Sequence, residues 1–171
     1  MPLVLTTERL ILRPLTRSDA PFIKDLLNEP SFLRYIGDKQ VRSIADAERY
    51  LEQGPIRSYA DHGFGLLLVL RQADQVPMGI CGLVKRDGLN HPDLGFAFQS
   101  DYWGVGYAFE AAQAVLHEAR DDSSITHLLG ITLPENTASI RLLERLGFVF
   151  KIQMKMNEED GPLNVYQLPL L

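Results

Sequence analysis

Apolar residues change their period along this chain, and each change marks an element. Residues 5–15 alternate in part and are rich in Leu, Ile and Thr, which predicts an opening strand. Ser18 stands where a cap would start a helix through residue 27, with Phe22, Ile23, Leu26 and Leu27 on one face; Pro30 is expected to stop it. Ser43 caps a second helical stretch, interrupted near Gly54 and Pro55 and resuming over 57–60. Positions 66–70 form a continuous apolar strand, and a turn at Ala73, Asp74 and Gln75 returns the chain along 76–85 as a hairpin. A longer turn over 87–92 leads into a strand over 94–99. The clearest helix follows, with Ala108, Phe109, Ala112, Val115, Leu116 and Ala119 at helical spacing. A strand over 128–133 ends at Pro134. Asn136 then caps a helix carrying Ile140, Leu143 and Leu146, with Gly147 as its C-cap. Closing strands are expected over 148–156 and 164–168. The order is β-α-α-β-β-β-α-β-α-β-β, a single mixed α/β domain over residues 1–171. Its strand–helix–strand unit between 94 and 133 is predicted to be a right-handed parallel crossover.

Composition narrows the class. Hydrophobic residues are 46% and charged residues 23%, the proportions of a soluble globular domain with a sizeable core. A net charge of −5 argues against a general nucleic-acid binder, whose footprint is basic. The single cysteine, Cys81, excludes an intrachain disulfide and a multi-cysteine metal site. The histidines show no metal-ligand spacing, so no metal is expected. No apolar run approaches the roughly 20 residues of a membrane helix, and no signal-peptide pattern opens the chain. A cytoplasmic enzyme with no membrane partner is the expectation.

Candidate chemistry concentrates at Trp103-Gly104-Val105-Gly106-Tyr107-Ala108, between a strand and a helix. Glycines there let the backbone turn sharply, and the unpaired amides of a helix's first turn, with its dipole, favour an anion. Three phosphate-binding patterns compete. A P-loop needs a Lys that is absent here. The dinucleotide fingerprint needs a third Gly or Ala where Phe109 stands, and an acidic residue that Ile131-Thr132-Leu133 does not offer. The third pattern is the acetyl-CoA loop [Gln/Arg]-x-x-Gly-x-[Gly/Ala], which Gly106 and Ala108 fit with Trp103 in the Gln/Arg place.

Two more segments point the same way. Pro134-Glu135-Asn136-Thr137-Ala138-Ser139-Ile140-Arg141-Leu142-Leu143-Glu144-Arg145-Leu146-Gly147-Phe148 resembles the second hallmark of the GNAT N-acetyltransferases in their Rim branch, which acetylates N-termini of ribosomal proteins. Thr7-Glu8-Arg9-Leu10-Ile11-Leu12-Arg13-Pro14-Leu15 resembles that branch's opening strand, and Trp103 to Ala111 its acetyl-CoA loop, with Phe109 replacing a common Thr or Ser. The resemblance implies a mixed, mostly antiparallel sheet of about seven strands flanked by about four helices, with a splayed parallel pair holding the cosubstrate. The pantetheine arm would lie between Phe96-Ala97-Phe98 and residues 129–133, as an added strand does. The pyrophosphate would rest on Gly104, Val105, Gly106, Tyr107 and Ala108. Trp103, Asn136 and Ser139 would complete the acetyl-CoA site.

The implied reaction is direct attack of a primary amine, such as a protein N-terminus, on the acetyl thioester. An α-amine, with a reference pKa of about 8, is partly neutral at pH 7 and needs little help from a base. The oxyanion would sit near the N–H of Ala97 or Phe98. Ser139 is the candidate acid toward the thiolate, because Leu143 stands where many relatives place a Tyr; local backbone bonding is its plainer role. Glu158, in the turn Asn157-Glu158-Glu159-Asp160-Gly161, is the candidate base; a solvated acidic turn is the alternative. Glu110 is expected to complement the helix dipole. Asp87, His91 and Asp93 read as turn residues near an acceptor entrance. Cys81 reads as a buried structural thiol, and Tyr35 and Tyr59 as groove candidates. A CoA-binding sensor without catalysis, an acetyltransferase of small amines (polyamines, antibiotics, amino acids) and a dinucleotide oxidoreductase remain open, as do monomer and homodimer.

Overall fold

Burial on both faces explains why the central strands read as unbroken apolar runs. The computed structural model describes residues 4–170. Its strands are β1 (Leu5–Thr6), β2 (Leu10–Pro14), β3 (Leu66–Arg71), β4 (Pro77–Val84), β5 (Asp93–Phe98), β6 (His127–Thr132), β7 (Val149–Met154) and β8 (Leu163–Pro169). Its helices are α1 (Ala20–Leu27), α2 (Pro30–Tyr35), α3 (Ile44–Leu51), α4 (Arg57–His62), α5 (Tyr107–Arg120) and α6 (Thr137–Arg145). The strands form one sheet in the order β1-β2-β3-β4-β5-β6-β8-β7. Among the described residues, only the β5–β6 neighbours run parallel. The expected mixed, mostly antiparallel architecture is therefore present.

Alternate residues of β3 and β4 feed opposite layers. Leu68, Leu70 and Ile80 pack with Ile23, Leu26, Leu27 and Leu51 of α1 and α3. Val69, Cys81 and Leu83 pack with Ala111, Val115 and Leu116 of α5 and Leu143 of α6. Gly130 of β6 is required by this second layer, since a Cβ there would stand 2.5 Å from the Leu143 side chain.

Four local expectations are corrected. The opening strand is two strands, because the Thr7 N–H bonds the Leu10 carbonyl at 2.9 Å and turns the chain between them. The N-cap of α1 is Asp19 rather than Ser18, and a short 3-10 turn precedes it, opened by Thr16, whose N–H donates to the Asp19 carboxylate. Pro30 opens α2 instead of only ending α1, since a first-turn position has no N–H bond to lose. The interruption at Gly54 and Pro55 is a π turn, Glu52–Ile56, through which α3 continues into α4.

The other caps form as expected. Ser43 accepts from the Asp46 N–H, and Asn136 from the Ser139 N–H. At the end of α6 the Gly147 N–H bonds the Glu144 carbonyl and the Phe148 N–H bonds the Leu143 carbonyl, the paired bonds of a Schellman motif.

Candidate functional site

Two strands part in the middle of the sheet. β4 pairs with β5 from Val84↔Asp93 to Gly79↔Phe98, and β6 pairs with β8 from His127↔Pro169 to Thr132↔Asn164. Between β5 and β6, among the described residues, the register is one pair, Asp93↔Leu129. There the Leu129 N–H donates to the Pro92 carbonyl at 3.0 Å. Toward their C-terminal ends the two strands diverge, leaving a cleft between two rows of backbone groups.

Strand geometry decides which groups face that cleft. Backbone groups of successive residues point to alternate neighbours. Pro92 bonds toward β6, and the Gln99 N–H donates to the Met78 carbonyl, just beyond the β4–β5 register, at 2.9 Å. Odd-numbered residues of β5 thus serve β4, and beyond the pair with Leu129 it is Phe96 and Phe98 that present their amides to the cleft. Ala97 is corrected as an oxyanion candidate, because its backbone is turned to Ile80 on β4. The cleft-facing carbonyl of Phe98 accepts the Trp103 indole N–H at 2.9 Å.

At the mouth of the cleft lies the glycine loop. Gly104 and Gly106 hold φ of +81° and +87°, the left-handed region that disfavours a Cβ. Gly106 is the N-cap of α5 and supplies no side chain to its first turn. Among the described residues, the N–H groups of Val105, Gly106, Tyr107 and Ala108 have no protein acceptor. They sit at the positive end of a 14-residue helix, whose negative end carries His117 and Arg120. An open loop of free amides next to parted strands fits a diphosphate joined to an extended amide chain.

Glu110 is more than a dipole complement. Its carboxylate accepts the Thr7 hydroxyl at 2.5 Å, the Arg9 N–H at 2.9 Å and the Arg9 Nε at 2.7 Å. Burial alone would raise its pKa, but these three donors outweigh it and hold the carboxyl below its ordinary value. The closed end of the cleft is pinned by another pair. Arg86 Nε meets the buried Asp93 carboxylate at 3.0 Å, and burial, only partly offset by Arg86, pushes Asp93 up. His91 and His127 pack nearby with tilted rings, their centroids 4.8 Å apart. Asp93 is thus a buried strand residue, not a turn residue.

Helix α6 starts beside the C-terminal end of β6. Asn136 spends its side-chain oxygen on the Ser139 N–H at 3.2 Å, whereas the Ser139 hydroxyl has no partner among the described residues. Leu143 is buried in the core, so no phenol stands at that place. Glu158 lies on the exposed hairpin between β7 and β8, at the sheet end where the cleft opens but two strands beyond β5's partner. Asn157 organises this turn by accepting the Glu159 and Asp160 N–H groups.

Several candidates leave the site. Tyr59 is a core peg: its hydroxyl accepts the Leu15 N–H, donates to the Leu66 carbonyl and is pushed up to about 12 by burial. The Cys81 thiol is fully buried and likewise pushed up to about 12, which makes it a poor nucleophile. Tyr35 stacks under its neighbour Arg34 on α2. An open recess of about 580 Å³ borders α5, lined by Thr7, Phe109, Glu110, Gln113, His117 and Arg145 among others, with no residue of β5 or β6. Arg145 covers the Phe109 ring at 4.1 Å, a packing use for the residue that replaces Thr or Ser in the loop. Among the described residues no helix is long and apolar enough to cross a membrane.

Comparison with known proteins agrees with this geometry. The family model described as "Acetyltransferase (GNAT) domain" matches residues 9–149. The protein named uncharacterized N-acetyltransferase p20, from Bacillus licheniformis, is 26% identical over 145 residues, 84% of this chain and 81% of that one. The ribosomal-protein α-N-acetyltransferase RimL, solved with coenzyme A, superposes with a TM-score of 0.83 at 20% identity, covering 98% of both chains. An acetyltransferase from Agrobacterium tumefaciens gives 0.81 at 24% identity, covering 97% of this chain and 94% of that one.

Proposed function

The chain belongs to the GNAT acetyltransferase family, and from that premise we propose that it transfers the acetyl group of acetyl-CoA to the α-amine of a protein N-terminus. One observation carries the reading: β5 and β6 pair once, at Asp93↔Leu129, and then part beside the free amides of α5. The diphosphate belongs on the amides of residues 105–108. From there the pantetheine arm runs inward along the backbone of Phe98 and Phe96. The thioester end lies deepest, toward the Asp93 vertex, so the Phe96 N–H is the proposed donor to the developing oxyanion.

The chemistry is a single displacement. The neutral amine attacks the acetyl carbon, an N–C bond forms, the C–S bond breaks and the thiolate takes up a proton. An α-amine needs little activation at pH 7, since its reference pKa is about 8. Positioning and oxyanion stabilisation then supply most of the acceleration. The free Ser139 hydroxyl at the start of α6 is the proposed proton donor to the thiolate. The amine proton leaves through solvent, with Glu158 on the exposed hairpin as its candidate acceptor. Support for a protein acceptor comes from RimL, which shares the fold.

Acetyl-CoA is offered with peptides beginning with Ala or Ser, with polyamines and with aminoglycosides, and thiol release is followed above the no-acceptor blank. Release with the peptides supports the proposal. Release only with small amines moves the acceptor class to those. CoA binding without transfer to any acceptor would favour a sensor, a reading kept by the apolar Leu143.

A further inference from the structure

The opening motif Thr7-Glu8-Arg9-Leu10 takes no part in the reaction above, yet its side chains end on the diphosphate loop. Arg9 divides its guanidinium among that loop's neighbours. Its Nε bonds Glu110, one turn into α5, and its Nη1 donates to the Val105 carbonyl at 3.0 Å. The guanidinium carbon stands 4.4 Å from the centre of the Tyr107 ring. Nη2 is 3.4 Å from where a Cβ on Gly106 would lie. Residues 105, 106, 107 and 110 are therefore all met by one side chain, which arrives from a turn about a hundred residues earlier. Thr7 steadies the same carboxylate, and its hydroxyl also accepts the Leu10 N–H at 3.0 Å.

The loop needs such a brace. Two left-handed glycines leave it many alternative conformations when unfolded or unliganded. Its amides gain no internal bonds, and an anion site is strong only if its donors are already aimed. A planar guanidinium can hold a carboxylate, a carbonyl and an aromatic face together, which a lysine's point charge cannot.

Resting on the acetyl-CoA reading, we propose that Arg9 is a positioning residue for the acyl donor: it holds the α5 loop in its diphosphate-binding shape and places positive charge beneath it. The effect should be confined to donors that carry the diphosphate.

That confinement is the test. R9Q, R9K and E110Q are compared with wild type using acetyl-CoA and S-acetylpantetheine, which has the thioester and arm but no diphosphate. R9Q is expected to raise KM for acetyl-CoA about tenfold, the worth of one charge-assisted hydrogen bond, with kcat little changed. R9K should lose nearly as much, because it keeps the charge without the fork, and E110Q should lose less in the same direction. Activity with S-acetylpantetheine should stay within about twofold of wild type in each variant. Equal losses with both donors, or no loss with acetyl-CoA, overturns the proposal. Calorimetric titration with CoA separates the two levels. If wild type binds CoA and R9Q binds equally well, this inference alone fails; if wild type binds no CoA, the acetyl-CoA reading fails with it.

Discussion

Trp103 gives its indole N–H to the carbonyl of Phe98 across 2.9 Å. The bond ties the glycine loop to the last residue of β5 and fills the acceptor that would otherwise face the cleft there. The Phe98 amide stays open beside it. The ring itself remains 51% exposed, so little of its value is burial.

Replacing Trp103 with Phe removes this bond and keeps an aromatic ring. A neutral hydrogen bond contributes about 1 kcal/mol, so the Kd for CoA is expected to rise about fivefold. Calorimetric titration reads the change. An unchanged Kd would mean that the loop's position does not depend on β5.

Gly106→Val strikes the loop directly. The φ of +87° costs a β-branched residue roughly 1–2 kcal/mol or more, so the strain comes from the backbone, the new Cβ only touching the end of Arg9 at 3.4 Å. CoA affinity is expected to fall at least tenfold while the melting temperature moves by only a few degrees. Loss of affinity matched by wholesale unfolding, checked by circular dichroism, would speak against a local effect.

Local chemistry made much of this molecule readable in its sequence. Ser43, Asn136 and Gly147 each act within a few residues of themselves, and each forms the cap that its type and position imply. The left-handed turn at Gly104 and Gly106 belongs with them, since two glycines before an amphipathic helix need no distant partner to be recognised. Three things were hidden, and each depends on a partner far along the chain. Ala97 could not be told from Phe96 or Phe98 until β4 showed which amides it occupies. Arg9 and Thr7 reach Glu110 across 101 and 103 positions, which no periodicity encodes. Asp93 looked like a turn residue because its partner Arg86 and its burial are supplied by the folded sheet.

Ser139→Ala and Asn136→Ala should separate chemistry from capping. The Ser139 hydroxyl has no protein partner among the described residues, so its loss is expected to lower kcat about tenfold with no change in melting temperature. Asn136→Ala removes a cap worth about 1 kcal/mol and should lower the melting temperature by several degrees. If Ser139→Ala leaves kcat unchanged, solvent protonates the thiolate.

Asp19 supplies a pH test of stability. Burial would raise its pKa, but a two-pronged contact with Arg13, at 2.9 Å on each oxygen, and the Thr16 N–H outweigh burial and lower it. A carboxyl depressed by folding stabilises above its unfolded pKa of about 4, and that stabilisation is lost as pH falls through the lower folded value. Asp19→Asn is therefore expected to cost about 2 kcal/mol at pH 7, and its deficit should shrink as pH drops below about 4. Denaturant unfolding of both proteins between neutral and acid pH measures it. A deficit independent of pH would deny the ion pair its role.

Amide exchange followed residue by residue, with and without CoA, reports most directly on the parted strands and the loop as the donor site. Slowed exchange is predicted at Phe96, Phe98 and residues 105–108, with the edge residues Lys151 and Gln153 unaffected. Protection that appears elsewhere while these amides keep exchanging at their free rate would contradict the account.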